Sequence, residues 1–215
     1  MLFAKHAESC LSPVLDIGAG FGAATLAALS AGASVVANDI DGDSLRALRL
    51  RACSPHLERL VLKVGRFPYE LEFPAGHFAA VHASNMLHFL EPRDIEVGIR
   101  GIREWLVPGG KVFVMVNSAY IENFKGFIPV FEKKKADGEP WPGWIDDLSR
   151  YSSHPTLKHL PTQIHVFDAE TLAQAFCSCG FIVEEAREFR RSGLPPQLRF
   201  DGRENILLVG RKPPA

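Results

Sequence analysis

"VLDIGAGFGAATLAAL", Val14 to Leu29, decides how the rest of the chain is read. An apolar run containing one acid, Asp16, breaks into glycines at alternate positions, Gly18, Gly20 and Gly22, and then into small apolar residues. A short β-type run, a flexible turn and a helix that is apolar on nearly every side describe a buried strand feeding a helix packed on a sheet. Gly32 is a natural stop for that helix. Glycine permits positive φ and lets a ligand approach the backbone directly. Parallel α/β sheets bind ligands beyond the carboxyl ends of their strands, so this loop is a candidate site.

The same alternation continues outward. "SVVAN" reads as the second strand, and "DGDSLRALRLRA" has an Asp/Ser start with leucines at helical spacing. "LVLKV", "FAAVHAS" and "KVFVMV" are further strands, with the helix "PRDIEVGIRGIREWL" before the last, which is entered through "VPGG". Helices between strands predict right-handed βαβ units and a parallel sheet. After Asp168 come one more helix, "DAETLAQAFCSCG", and two strands, "FIVEEAREF" and "ENILLVGRK", with no helix between them, so that pair is predicted antiparallel. The expected fold is α/β: doubly wound, a mostly parallel seven-stranded sheet with an antiparallel C-terminal strand pair. Residues 119–165 break the pattern with "KKK", "DGEPWPGW" and "SSHP", and are expected to form an insertion in a single domain spanning 1–215.

Bulk properties exclude several functions. With 215 residues and 47% hydrophobic residues the chain fills one sizeable core. A formal charge of −1 supplies no general attraction to a phosphate backbone, so nucleic acid is an unlikely partner. No apolar run approaches the ~20 residues that span a bilayer, and "MLFAKHAESCLSP" lacks a signal peptide's apolar centre, so a cytoplasmic protein without membrane contact is expected. Cys10, Cys53, Cys177 and Cys179 lack metal-ligand spacing, and no metal is expected. Oligomeric state is not readable.

Asp39, in "NDID" at the end of the second strand, lies about 20 residues past Gly18, where an acid accepts hydrogen bonds from both hydroxyls of a ribose. A dinucleotide fingerprint spaces its glycines G-x-G-x-x-G beside a pyrophosphate; alternate glycines preceded by Asp16 suit a cationic ligand better. With "DIGAGFG", "NDID" and "LVPGGKVFVMV", the chain resembles the class I S-adenosylmethionine-dependent methyltransferases. The resemblance runs from Pro13 to about Val116 and again from Asp168 to Lys212.

That resemblance implies S-adenosylmethionine as cofactor. Gly18, Ala19 and Gly20 would underlie its methionine part, with Gly22 completing the loop and Asp16 ordering it and meeting the ammonium group through water. Asp39 would bind the ribose and Ile40 would lie against the adenine. Where the family often carries an Asp for the adenine amino group this chain has Arg66, which cannot accept a hydrogen bond, so adenine would be read by backbone groups or by stacking on Arg66 or Phe67. Ser84 and Asn85, ending the fourth strand, would face cofactor and acceptor.

Displacement at a sulfonium has a good leaving group, so the protein chiefly aligns the reactants and excludes water. A base serves a hydroxyl or a protonated amine, and His88 is the nearest titratable candidate in sequence. His154, His159 and His165, with Asp146 and Asp147, lie in or near the insertion as further candidates. The insertion is expected to cap the substrate, with Trp141, Trp144 and Tyr151 facing a small, partly apolar or aromatic acceptor; a protein acceptor is the alternative. Against the cap stands "FKGFIPVF" as an ordinary amphipathic helix on the sheet. Two other functions remain open from sequence: an inactive S-adenosylmethionine-binding module, and an NAD(P)-dependent oxidoreductase.

Overall fold

The computed structural model describes residues 1–153, 155 and 160–214. A first helix, α1 (Leu2–Ala7), precedes β1 (Val14–Ile17), all four of whose residues are buried. Helix α2 (Ala23–Ser30) follows, then β2 (Val35–Asp39), α3 (Gly42–Arg51), the short α4 (Ser54–Leu57) and β3 (Leu60–Val64). β4 (Phe78–Ser84), α5 (Pro92–Trp105) and β5 (Leu106–Asn117) complete the parallel part. The intervening segment carries α6 (Ile128–Ala136), β6 (Trp144–Ile145) and β7 (Ile164–His165), and the chain closes with α7 (Ala169–Ser178), β8 (Ile182–Phe189) and β9 (Asn205–Arg211).

The seven-stranded sheet runs β3-β2-β1-β4-β5-β9-β8, and β9 is antiparallel to both its neighbours. Strand order reverses between β1 and β4, which pair in parallel from Val14↔Ala80 to Ile17↔Ala83. That reversal is the point at which such sheets open a crevice at their carboxyl ends. "VPGG" forms the start of β5 opposite a register shift at Phe78/Ala80. One face of the sheet buries α1, α2 and α3 through Phe3, Ala28, Leu29, Leu45 and Leu48. The other buries α5 and α7 through Ile95, Ile99, Ile102, Leu172 and Phe176.

Local chemistry explains the joints. Asp41 caps α3 by accepting from the N–H groups of Asp43 and Ser44, and Asp168 caps α7 through the N–H of Thr171. Gly22, at the start of α2, has φ of 82°, and a side chain there would strike Leu48. Bare backbone at 22 is what lets α2 and α3 approach.

The segment between β5 and α7 builds a core of its own. Phe124, Phe127 and Phe131 pack with Tyr120, Ile145, Leu148, Ile164 and Val166 in a cluster separate from those of the sheet. The segment leaves and rejoins the sheet side by side, with Ser118 bridged to Phe167 and Ala119 N–H donating to the Phe167 carbonyl at 2.8 Å. Lys135, ending α6, pairs with Asp168 and, at 2.8 Å, with Glu170. The phenylalanines of "FKGFIPVF" therefore pack neither over a ligand site nor on the sheet.

The connection from β8 to β9 folds around one buried carboxylate. Glu204 accepts from Arg190 Nη2 at 2.9 Å and from the N–H groups of Phe200 at 2.7 Å and Gly202 at 2.9 Å. Burial pushes its pKa up, but Arg190 and these N–H donors outweigh burial and hold it at about 2. A depressed carboxyl contributes stability that is present above its ordinary value of 4.5 and lost as pH falls toward 2. Glu204→Gln is expected to cost about 2 kcal/mol at neutral pH, where a buried charged hydrogen-bond acceptor is lost. Urea midpoints measured at pH 7 and near pH 3 should show that cost shrinking at the lower pH; a cost independent of pH would contradict it.

Candidate functional site

At the carboxyl ends of β1, β2 and β4 lies a cavity of about 300 Å³ lined by Gly18, Asp39, Ile40, Arg66, Phe67 and Asn85, among others. Three backbone choices shape it. Gly18 (φ 67°) and Gly20 (φ 52°) take the left-handed conformation that turns the chain from β1 toward α2. A Cβ at Gly18 would press on Met86, whereas one at Gly20 would meet nothing within 4 Å, leaving its backbone open to an incoming group.

Asp39 organises the rest. Its Oδ2 accepts the N–H of Gly20 at 2.8 Å and its Oδ1 accepts the N–H of Asp41 at 2.9 Å, so the carboxylate is aimed before any ligand arrives. Each oxygen keeps a lone pair for a further donor. Asn38 donates to the carbonyls of Lys63 at 3.0 Å and Gly65 at 2.9 Å, fixing the turn that presents Arg66 and Phe67. The Arg66 N–H is bound by Glu70 at 2.8 Å. Phe67 lines the cavity, but its ring is pressed against Gly98 and Trp105, leaving little of its face for stacking. Ile40, at 58% exposure, and Phe89, at 52%, supply the open apolar surface.

Asn85 is the strained member. It holds φ of 54° without being glycine, and its buried Oδ1 has no hydrogen-bond partner. Such strain and an unsatisfied acceptor at a cavity wall call for a donor that a ligand brings. A cavity with a pre-aimed carboxylate at one end, apolar side chains at the other and this free acceptor between fits a nucleoside carrying a cationic, hydrogen-bonding tail.

Other residues expected at the site stand elsewhere. Asp16 is buried away from the cavity: its Oδ2 accepts the Thr25 hydroxyl at 2.6 Å and its Oδ1 meets His82 Nδ1 at 2.7 Å. Its bond to Thr25 ties β1 to α2, the helix that follows the glycine turn. Ala19 anchors the turn by donating its N–H to the Asn38 carbonyl at 2.8 Å, and Gly22 serves the helix contact with Leu48. Ser84 faces the opposite side of β4 from the cofactor cavity, receiving the Asn85 amide at 3.3 Å.

His88 lies in a 3₁₀ turn, Leu87–Phe89, with its ring buried against Phe89 and Nδ1 unpartnered. Burial pushes its pKa down to about 4, and it does not line the cavity, so it is not placed to take a proton from an acceptor. Trp141 packs on the main core and donates to Glu96 at 3.2 Å. Tyr151 lies edge-on to Phe127 within the segment's own core. Trp144 and Asp146 line a neighbouring cavity of about 520 Å³ that shares Arg66, Phe67, Phe89 and Leu90 with the first. Asp147 caps a 3₁₀ turn through Ser149. His165 is fully buried, stacked on Phe167 at 4.5 Å, with burial pushing its pKa down to about 3. His154 and His159 lie outside the described residues. Among the described residues no group of His, Cys, Asp and Glu could hold a metal ion, and no helix is long and apolar enough to cross a membrane.

Residues 14–110, which build this cavity, match the family model described as a methyltransferase domain. That part of the chain is similar to methyltransferase domains. The methyltransferase fold extends beyond the matched residues. An S-adenosylmethionine-dependent methyltransferase from Mesorhizobium loti superposes with a TM-score of 0.67 at 20% identity, covering 94% of this chain and 91% of that one. The glycopeptide N-methyltransferase MtfA, solved with S-adenosylmethionine, superposes with a TM-score of 0.66 at 18% identity, covering 99% and 92%. A curated relative, the highly reducing polyketide synthase easB of Emericella nidulans, is 35% identical over 134 residues, 55% of this chain. The chain spans 5% of that relative's length.

Proposed function

We propose that this chain transfers a methyl group from S-adenosylmethionine to a small acceptor of apolar or aromatic character. The observation that carries the reading is Asp39, held by the N–H groups of Gly20 and Asp41 with lone pairs left for two ribose hydroxyls. Solved complexes of MtfA with S-adenosylmethionine, sinefungin and S-adenosylhomocysteine support the same cofactor. When bound, it supplies a methyl on a positively charged sulfur, already activated for displacement.

This chain's residues do the rest. Asp39 holds the ribose, Ile40 and Phe89 cover the adenine, and the open backbone at Gly20 receives the methionine part. Asn85 Oδ1 accepts from the cofactor's ammonium, which relieves its unpaired state. Trp144, from the segment between β5 and α7, walls the adenine side. The likeness to part of a polyketide synthase supports a carbon-rich acceptor.

Calorimetric titration is expected to show micromolar binding of S-adenosylmethionine and S-adenosylhomocysteine, with no heat from NADH or NADPH. Binding of the nicotinamide cofactor alone would overturn the reading.

A further inference from the structure

On the other side of Ser84 lies a second cavity, of about 290 Å³, between α1 and the face of β4, β5, β8 and β9. Its walls are largely apolar, with Phe3, Phe113, Met115, Phe189 and Leu207 among them, and Arg187 also lines it. Two side chains bring polar atoms from β4: Ser84 and His82. Ser84 is followed by Asn85 of the cofactor cavity and accepts its side-chain amide at 3.3 Å, so the end of β4 supplies a wall residue to each cavity.

His82 is built to act there. Its Nδ1 lies 2.7 Å from Asp16 Oδ1, while the other Asp16 oxygen accepts from Thr25 at 2.6 Å. A carboxylate can only accept, so Nδ1 carries the proton, and in the neutral ring Nε2 keeps its lone pair. Phe3 stacks on the ring at 4.8 Å and fixes its plane. A base oriented by a buried carboxylate at the wall of a largely apolar cavity is an arrangement suited to general-base catalysis. The neighbouring cavity beside Trp144 shares Arg66 and Phe67, at the adenine end, and is therefore remote from the methyl group.

Resting on the cofactor reading above, we propose that this apolar cavity receives the methyl acceptor, an apolar molecule bearing a phenol or enol hydroxyl, and that His82, positioned by Asp16, takes its proton. The hydroxyl gives its proton to Nε2 as the oxygen bonds to the methyl carbon. The carbon–sulfur bond breaks with its electron pair left on sulfur, and the imidazolium releases the proton to solvent.

The probe is 4-nitrophenol, whose ionised form absorbs separately from its neutral form. The wild-type protein is expected to bind it and ionise the bound fraction. Leu207→Trp, which fills the cavity from β9, should weaken binding at least about tenfold. His82→Gln should keep the affinity within about threefold while the bound phenol stays protonated. Asp16→Asn should reverse the ring tautomer, read from the nitrogen shifts of His82, and lower the ionised fraction similarly. Unchanged binding in Leu207→Trp, or equal ionisation in His82→Gln, overturns the proposal; should the Gln variant not fold, Leu207→Trp decides the pocket and Asp16→Asn the proton acceptor. S-adenosylmethionine affinity is measured alongside: its absence in the wild type refutes the cofactor reading, whereas its presence with no phenol effect refutes only this one.

Discussion

Asp39→Ala is expected to weaken S-adenosylmethionine binding by about 2–3 kcal/mol, roughly 30- to 150-fold, without unfolding the protein. The loss has two sources. Charge-assisted hydrogen bonds to the ribose disappear, and the N–H groups of Gly20 and Asp41 lose the acceptor that holds the glycine turn against the start of α3. The strand itself is secure, since β2 is paired on both sides, with β1 and with β3. Calorimetry should therefore show the weakened affinity while far-ultraviolet circular dichroism stays unchanged. Undiminished affinity would remove the central assignment.

Phe131→Ala is expected to destabilise the segment between β5 and α7 by about 3–5 kcal/mol, the usual cost of deleting a buried aromatic side chain. Phe131 is fully buried and meets Tyr120 edge-on at 6.0 Å. Because its cluster is separate from the two that hold the sheet, the damage should stay local. Hydrogen exchange should show the amides of α6 losing protection while those of β1, β4 and β5 retain theirs, and cofactor affinity should change less than threefold. Parallel loss of protection in the sheet would show that the clusters fold as one unit.

Most of the parallel sheet was legible in the sequence because each strand and helix carries its own period and its own stop. β1, α2, β2, α3 and β3 fall where the apolar runs, Asp41 and the glycines predict. The terminal antiparallel pair follows from the absence of any helix between its strands. The middle segment has no such period. Phe124, Phe127 and Phe131 find their partners in Ile145, Leu148, Ile164 and Val166, and no local pattern announces contacts made across that distance. The site shows the same division. The turn that brings Gly20 to Asp39 was readable because both belong to a local spacing, whereas His82 looks like one more residue of "FAAVHAS" until Asp16, 66 positions away, is seen beside it. His88 misled for the converse reason: its place just after a strand end is right, but the 3₁₀ turn carries its ring inward.

The contact between Gly22 and Leu48 makes these two positions one heritable unit. Any side chain at 22 meets the buried Leu48, and the left-handed backbone at 22 adds a second obstacle. Reversing the order does not help much, since shortening Leu48 to alanine first opens a cavity at a cost of about 2–5 kcal/mol. Neither single step is neutral, so mutational drift at the glycine turn is gated by a residue on a different helix. A library that randomises the turn while holding Leu48 fixed should return glycine at 22, and one that randomises both should recover small residues at 48 whenever asparagine enters at 22.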